Sequence, residues 1–439
     1  MIKTDRIRKS QPVPSMSRTL NVLLLAALAG ALALPAAAAP RVKQKIRPQA
    51  APTASASAAS APAASEAAPL AASAASAAVP SVAAPAVHRP QPLPEIAATA
   101  YAVQDLQSGQ VLAEKNWETP IEPASLTKLM TAYLVFKALQ EGSLKPEQTV
   151  TVSARSWGTD GPRMLLLKDS QVSIADLVKG LVVQQSNDAA VALAEAVAGS
   201  EEQFVEMMNA EAKRLGMAQT RFENSTGLHG EQHLSSAKDL LILAAALMRD
   251  FPPQYYQIYS VKSFTYNGIT QPNRNLLLFR DPAVDGIAGG YGGSAGYHLI
   301  ASSKRNGRRV VALVAGAASP EARATESSKL LNYALQEFDT VLLYRAGEKA
   351  AEIPVSGGAS ATVAAGFEQD LYLSIPRSRD GVKIEIESRR PLVAPLDKGQ
   401  PLGTLRLKSG SRVLAERPLV VVVAMPQAGF WGRIKQLFS

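Results

Sequence analysis

Cysteine is absent from all 439 residues, so disulfides, thiolate nucleophiles and cysteine-held metals are excluded. Histidine is nearly as scarce, with 4 copies. His229 and His233 flank Gly230-Glu231-Gln232, a loop with no third ligand beside it, so no metal is expected. Aromatic residues make up 5% of the chain, and no Arg/Lys run is interleaved with them. That argues against a nucleic-acid surface. No Gly-x-Ser-x-Gly elbow and no phosphate-binding glycine loop occurs, and no cofactor is expected. Asn224-Ser225-Thr226 has the form of a glycosylation sequon, which is read as accidental.

Long apolar runs are also missing. The longest, Leu20 to Leu34, falls short of the ~20 residues that a membrane span needs. It follows Lys3, Arg6, Arg8, Lys9 and Arg18 and precedes Pro35-Ala36-Ala37-Ala38-Ala39, so residues 1–39 read as a cleavable export signal. An uncleaved anchor is the alternative. The signal holds five basic residues against one acid out of a net charge of +9, which leaves +5 for the remainder. That mild excess suits an anionic membrane or wall polymer. Residues 40–96 collapse to Ala, Ser and Pro without an aromatic residue. Such a segment cannot bury enough apolar surface to offset its ordering entropy, and reads as a disordered tether.

From residue 97 the pattern is that of a folded domain. Ala100–Asp105 and Gln110–Glu114 alternate as a hairpin, and helices dominate from Ser173 to Asp250. A second hairpin runs from Ala295 to Ala315 through Arg305-Asn306-Gly307, and a helix from about Pro320 to Phe338 closes the unit. Strands at both ends with helices between predict an α/β domain over residues 97–341, with one mixed sheet and an inserted helical subdomain. Residues 342–425 change to short alternating strands at 371–376, 382–386, 403–407 and 418–423, as in a small C-terminal β-sandwich. Residues 426–439 end on Phe430, Trp431, Ile434, Leu437 and Phe438, which share about 120° of arc at helical period. That is the build of an interfacial helix on a membrane.

The chemistry centres on Pro123-Ala124-Ser125-Leu126-Thr127-Lys128. Ser125 and Lys128 lie three apart at a helix start, so they share a face. A serine hydroxyl needs a neighbouring base, and a lysine serves only when its pKa is lowered. Spacing alone also fits a serine N-cap, and Ser235-Ser236-Ala237-Lys238 matches the same pattern.

Two further stretches add to it: Gln184-Gln185-Ser186-Asn187-Asp188-Ala189 and Val284-Asp285-Gly286-Ile287 continuing to Ala295-Gly296-Tyr297. In this order the three resemble the low-molecular-mass penicillin-binding proteins, the serine-type D-alanyl-D-alanine carboxypeptidases. Asn267 to Asn275 and Lys329 to Tyr333 look like that family too. The resemblance implies a β-lactamase/DD-peptidase-like fold, with Ser125 as nucleophile, Lys128 as base and Asn187 as a further catalytic residue. The oxyanion hole would be the N–H groups of Ser125 and Tyr291. Two motifs depart from the family. Its Ser-x-Asn reads Gln185-Ser186-Asn187 here, and its Lys-Thr-Gly reads Ala288-Gly289-Gly290. Those residues and Arg323, which aligns with an arginine near the substrate carboxylate, form the expected substrate-binding set.

The resemblance implies an exported protein, peripheral on the outer face of the inner membrane through residues 426–439. It would act on peptidoglycan stem peptides ending in D-Ala-D-Ala and take β-lactams as covalent ligands. Homodimerisation is left open. With the Lys and Thr gone, two function classes remain: an impaired carboxypeptidase, or a degenerate paralogue that binds peptidoglycan or wall-synthesis partners. A scaffold using only the β domain and tail is the third reading.

Overall fold

The computed structural model describes residues 91–429 apart from Asp380. The export signal, residues 40–90 of the tether and the Phe430–Phe438 pattern lie outside the described residues. Among the described residues, no helix is long and apolar enough to cross a membrane.

A five-stranded sheet forms the first domain's centre, in the order Val111–Lys115, Ala100–Asp105, Arg308–Ala317, Gly296–Arg305, Val284–Gly292. Every pairing in it is antiparallel, not mixed, because hairpins supply both halves and Ala100–Asp105 runs back along Arg308–Ala317. The two strands meet with Ala102 opposite Leu313, which closes the first domain's N-terminal hairpin onto its C-terminal one. Alternation sorts the residues between two faces. Ala100, Ala102, Val311 and Leu313 pack under the helical subdomain. Tyr101, Val103, Ala312 and Val314 pack under the helix Pro320–Glu337. With both faces covered, these strands read as near-continuous apolar runs.

The helical subdomain holds Lys128–Glu141, Asn187–Ala198, Glu201–Leu215 and Ala237–Asp250. Its starts are set by hydroxyl caps: Ser173, Ser200 and Ser236 each accept the N–H three residues on. The Ser173–Asp176 capping box forms as the pattern predicts, with Ser173 Oγ also donating to Asp176 Oδ2 at 2.8 Å.

The C-terminal domain has a five-stranded sheet, Lys349–Pro354, Thr362–Gly366, Arg412–Val421, Pro401–Ser409 and Val382–Ser388, beside the pair Phe338–Tyr344 and Leu371–Pro376. Leu373, Leu402, Leu405, Leu407 and Leu419 fill its core. The alternation misses Lys349–Pro354 and Thr362–Gly366, whose alanines carry little strand preference. Buried Asp105 ties the domains together, accepting Arg308 Nε at 2.6 Å and the Thr340 hydroxyl at 2.7 Å.

Candidate active site

Ser125 lies on a 3-10 turn, Ala124–Thr127, and the α-helix proper begins at Lys128. Ala124 just before it is held in the left-handed region at φ +47°, a strained conformation for a residue with a Cβ. The loop at Gly227 closes onto it so tightly that a Cβ there would lie 1.8 Å from Ala124 O. Only glycine fits. The same loop presents the Thr226 carbonyl to the lysine. Lys128 Nζ donates to Thr226 O at 2.6 Å and to Ser125 Oγ at 3.2 Å.

Lys128 is 2% exposed. Burial, then the nearby Arg274 guanidinium, pulls its pKa from 10.5 to about 7, against an opposing pull from Asp188. The unprotonated amine is therefore accessible at neutral pH, and a free amine beside a serine hydroxyl can take its proton. No cation from the third motif contributes to this depression, since position 288 holds alanine. Burial and Arg274 supply it instead.

The second stretch turns on a π-helical segment, Gly180–Gln184, that ends with Gln185 at φ +58°. Asn187 then opens the next helix. Gln185 Nε2 donates to Val182 O at 3.1 Å, and Asn187 Nδ2 donates to Asp160 O at 2.6 Å. Both amide nitrogens are thereby tied to main chain, and both amide oxygens are buried without a partner. Flipping either amide would set oxygen against a carbonyl, so the orientations are fixed by the hydrogen bonds. Ser186 does not move into the missing serine's place. Its hydroxyl is fully buried and donates to Gln184 Oε1 at 3.3 Å, away from the cleft wall.

The third stretch is the strand Val284–Gly292 at the sheet's edge. Gly290 brings it against the Ser125 turn: a Cβ there would sit 3.4 Å from Leu126 N and from Pro123 O. Ala288 is 2% exposed, packs on the helical side and does not line the cleft. Gly289 faces the other way, toward Arg323, whose guanidinium lies 2.9–3.0 Å from where its Cβ would be.

Arg323 is not the solvated cation that its position near a helix start suggests. It is 7% exposed and donates to Gly290 O at 2.8 Å, His298 O at 3.0 Å and Arg274 O at 3.1 Å. Burial and Arg274 lower its pKa to about 10, which leaves it charged at neutral pH.

These parts border one cleft of about 750 Å³. Ser125, Gln185, Asn187, Gly289, Gly290, Tyr291 and Arg323 line it, together with Thr226, Arg274 and Tyr297. Arg274 stood inside a stretch that carried the resemblance, and only its place in the fold gives it a role. Thr226 acts through its carbonyl, which side-chain reading cannot find. The two loop histidines serve structure: His233 bonds Thr127 Oγ1 at 2.8 Å through Nε2 and accepts Glu223 N at 3.2 Å through Nδ1. Among the described residues, no group of three metal-ligating side chains forms.

An antiparallel sheet between helical layers, with a serine and a pKa-lowered lysine one turn apart at its edge, defines the class of penicillin-recognising serine proteins. Within that class the chain belongs to the D-alanyl-D-alanine carboxypeptidase family, whose model matches residues 85–319. Residues 338–427 match the C-terminal domain of penicillin-binding protein 5. The D-alanyl-D-alanine carboxypeptidase DacA of Escherichia coli K12 is 38% identical over 351 residues, 78% of this chain and 87% of the relative. DacD of Salmonella typhimurium is 38% identical over 82% of this chain and 94% of its own. The crystal structure of penicillin binding protein 5 from Haemophilus influenzae superposes with TM-score 0.71 at 37% identity, covering 76% of this chain and 99% of that one.

Proposed function

We propose that this chain is a serine D-Ala-D-Ala carboxypeptidase that trims the terminal D-alanine of peptidoglycan stem peptides through an acyl-enzyme at Ser125. One observation carries the reading: a buried amine with pKa about 7 sits 3.2 Å from a serine hydroxyl that lines an open cleft.

In this reading Ser125 Oγ bonds to the carbonyl carbon of the penultimate D-alanine as Lys128 takes the hydroxyl proton. The carbonyl electrons move onto oxygen, where the N–H groups of Ser125 and Tyr291 receive them. The C–N bond then breaks, and the proton on Lys128 passes to the departing amine. Water repeats the sequence to release the shortened peptide. Arg323, flanked by Arg274, attracts the substrate's terminal carboxylate, while Gln185 and Asn187 line the same cleft beside Ser125. Penicillin-binding protein D2 of Listeria monocytogenes, 30% identical over 55% of this chain, was solved with ampicillin and with cefotaxime bound, which supports β-lactams as covalent ligands. Periplasmic residence, with the 426–439 tail docked on the inner membrane, belongs to the same reading.

Turnover is reduced, because no ammonium projects from position 288 and no hydroxyl from 289. A second reading follows from the same gap, a penicillin-binding paralogue that binds stem peptides with little turnover. A fluorescent penicillin separates these readings from a scaffold. Covalent labelling that disappears in Ser125→Ala supports the nucleophile, and absence of labelling overturns it. D-alanine release from diacetyl-lysyl-D-alanyl-D-alanine then distinguishes enzyme from binder.

A further inference from the structure

The edge strand and its turn contain six glycines between 286 and 296, at 286, 289, 290, 292, 293 and 296. Side chains that could pin the turn to its surroundings are correspondingly few, and glycine permits the backbone to wander. Yet Tyr291, the proposed second oxyanion donor, lies on this segment, 56% exposed.

One carboxylate gathers the pieces. Glu122, three residues before Ser125, accepts the Ser294 hydroxyl on Oε2 at 2.8 Å. Its Oε1 accepts His229 Nδ1 at 2.8 Å, and its main-chain oxygen accepts His298 Nε2 at 3.1 Å. His298 is locked as that donor, since its Nδ1 accepts Gly316 N at 3.0 Å. Glu122 is 17% exposed on its side chain, and the His229 bond holds its carboxyl below the ordinary range. The three partners belong to three different parts of the site. Ser294 is in the turn beyond Tyr291, and His229 follows the loop whose Thr226 carbonyl holds Lys128. His298 lies on the neighbouring strand of the sheet.

We infer that Glu122 is a positioning residue that clasps the glycine-rich turn and the Thr226–His229 loop against the Ser125 segment, setting the oxyanion donors on the nucleophile. The inference rests on the acyl-transfer reading above. The clasp does by a side-chain tether what the strand's own glycines cannot. Removing it deletes no reacting group and loosens only their mutual geometry, and misplacement of that kind is costly in rate.

The test compares Glu122→Ala, Glu122→Gln and Ser294→Ala with the native protein, using a fluorescent penicillin and amide hydrogen exchange. Glu122→Ala is expected to slow acylation on the order of 10- to 100-fold, while half-saturation stays within about twofold. Ser294→Ala slows it less, and Glu122→Gln, which keeps an acceptor oxygen, recovers most of the rate. Exchange in peptides spanning 289–296 speeds up in both alanine variants, while the 308–317 strand stays as protected as before. Acylation by Glu122→Ala within about twofold of native overturns the inference, as does unchanged exchange at 289–296 or faster exchange across the whole domain. If the native protein does not label at all, the acyl-transfer reading fails, and exchange alone decides the clasp.

Discussion

Putting the family's side chains back into the edge strand tests which loss matters. Ala288→Lys, Gly289→Thr and the double variant would be made and assayed for D-alanine release from diacetyl-lysyl-D-alanyl-D-alanine. The two positions are not equivalent in this protein. Ala288 packs on the side of the sheet that carries Ser125 and Lys128, with Ile300 opposite it on the next strand. In the proposed reaction a lysine there, once its long side chain extends past the buried Cβ, adds an ammonium on the nucleophile's side of the sheet, and a hydrogen bond to a charged group is worth roughly 1.5–3 kcal/mol. The expected gain in kcat/KM is on the order of 10- to 100-fold.

Gly289 is already in use. A Cβ would meet Arg323 Nη1 at 2.9 Å and Cζ and Nη2 at 3.0 Å, so threonine must push the guanidinium off the strand. Arg323 then gives up bonds to Gly290 O and His298 O, and the carboxylate site proposed for it moves as well. Gly289→Thr alone should therefore lower kcat/KM by about tenfold, chiefly through KM. The double variant should fall between Ala288→Lys and the native protein, because the threonine hydroxyl returns part of what the arginine's displacement removes. The order expected is Ala288→Lys, double, native, Gly289→Thr, with melting temperatures recorded for all four. Ala288→Lys at or below native activity refutes the idea that the missing ammonium limits turnover. A neutral Gly289→Thr refutes the packing role given to Arg323.

Four further outcomes follow from the site and the C-terminal tail. Acylation by penicillin should rise with pH through a limb near 7, where Lys128 loses its proton, and level off above it. Arg274→Gln removes one of the causes of that depression and should move the limb to higher pH, and a limb that stays put refutes the coupling. For stability, the lysine's folded pKa of about 7 lies below its ordinary 10.5, so the unfolded chain binds more protons across that window. Stability from this group thus rises with pH between 7 and 10.5 and is lowest below 7. Lys128→Met should raise the melting temperature more at pH 6 than at pH 10, the full difference being on the order of 5 kcal/mol, and equal shifts at both would contradict the burial argument. Deleting residues 426–439 should release the protein from membranes into the soluble fraction. Unchanged retention of a signal-cleaved protein refutes tail docking.

What the sequence discloses here follows the range of the interactions involved. Ser125 and Lys128 are three apart, and the Ser173 capping box is equally local, so short-range pattern finds both. The sheet's two hairpins are also local, but their junction at Ala102 and Leu313 joins opposite ends of the domain, and reading the strands as mixed came from not seeing it. The site's remaining groups are legible only in space. Thr226 contributes a backbone carbonyl, and Arg274 acts through its charge on a lysine far away in sequence. Glu122 looks like any acid before a helix until Ser294, His229 and His298 are seen around it.

The same distinction separates the two roles that a lysine at 288 could have played. One is to lower the base's pKa, and the other is to stabilise charge in the cleft. The depression of the Lys128 pKa comes first from the residue's own burial and then from Arg274, neither of which needs a polar side chain at 288 or 289. Base strength therefore survives the change to Ala288-Gly289-Gly290. In the proposed reaction, what the motif changes alter is the set of groups that meet the substrate's developing negative charge and its carboxylate. In that reading they number two arginines, one held by three carbonyls, and two backbone N–H groups, of which that of Tyr291 lies on the glycine-rich edge strand. The reduced turnover proposed above therefore falls on transition-state stabilisation and not on the nucleophile. The protein should be acylated by a strained β-lactam ring more readily, relative to its family, than it cleaves an unstrained peptide.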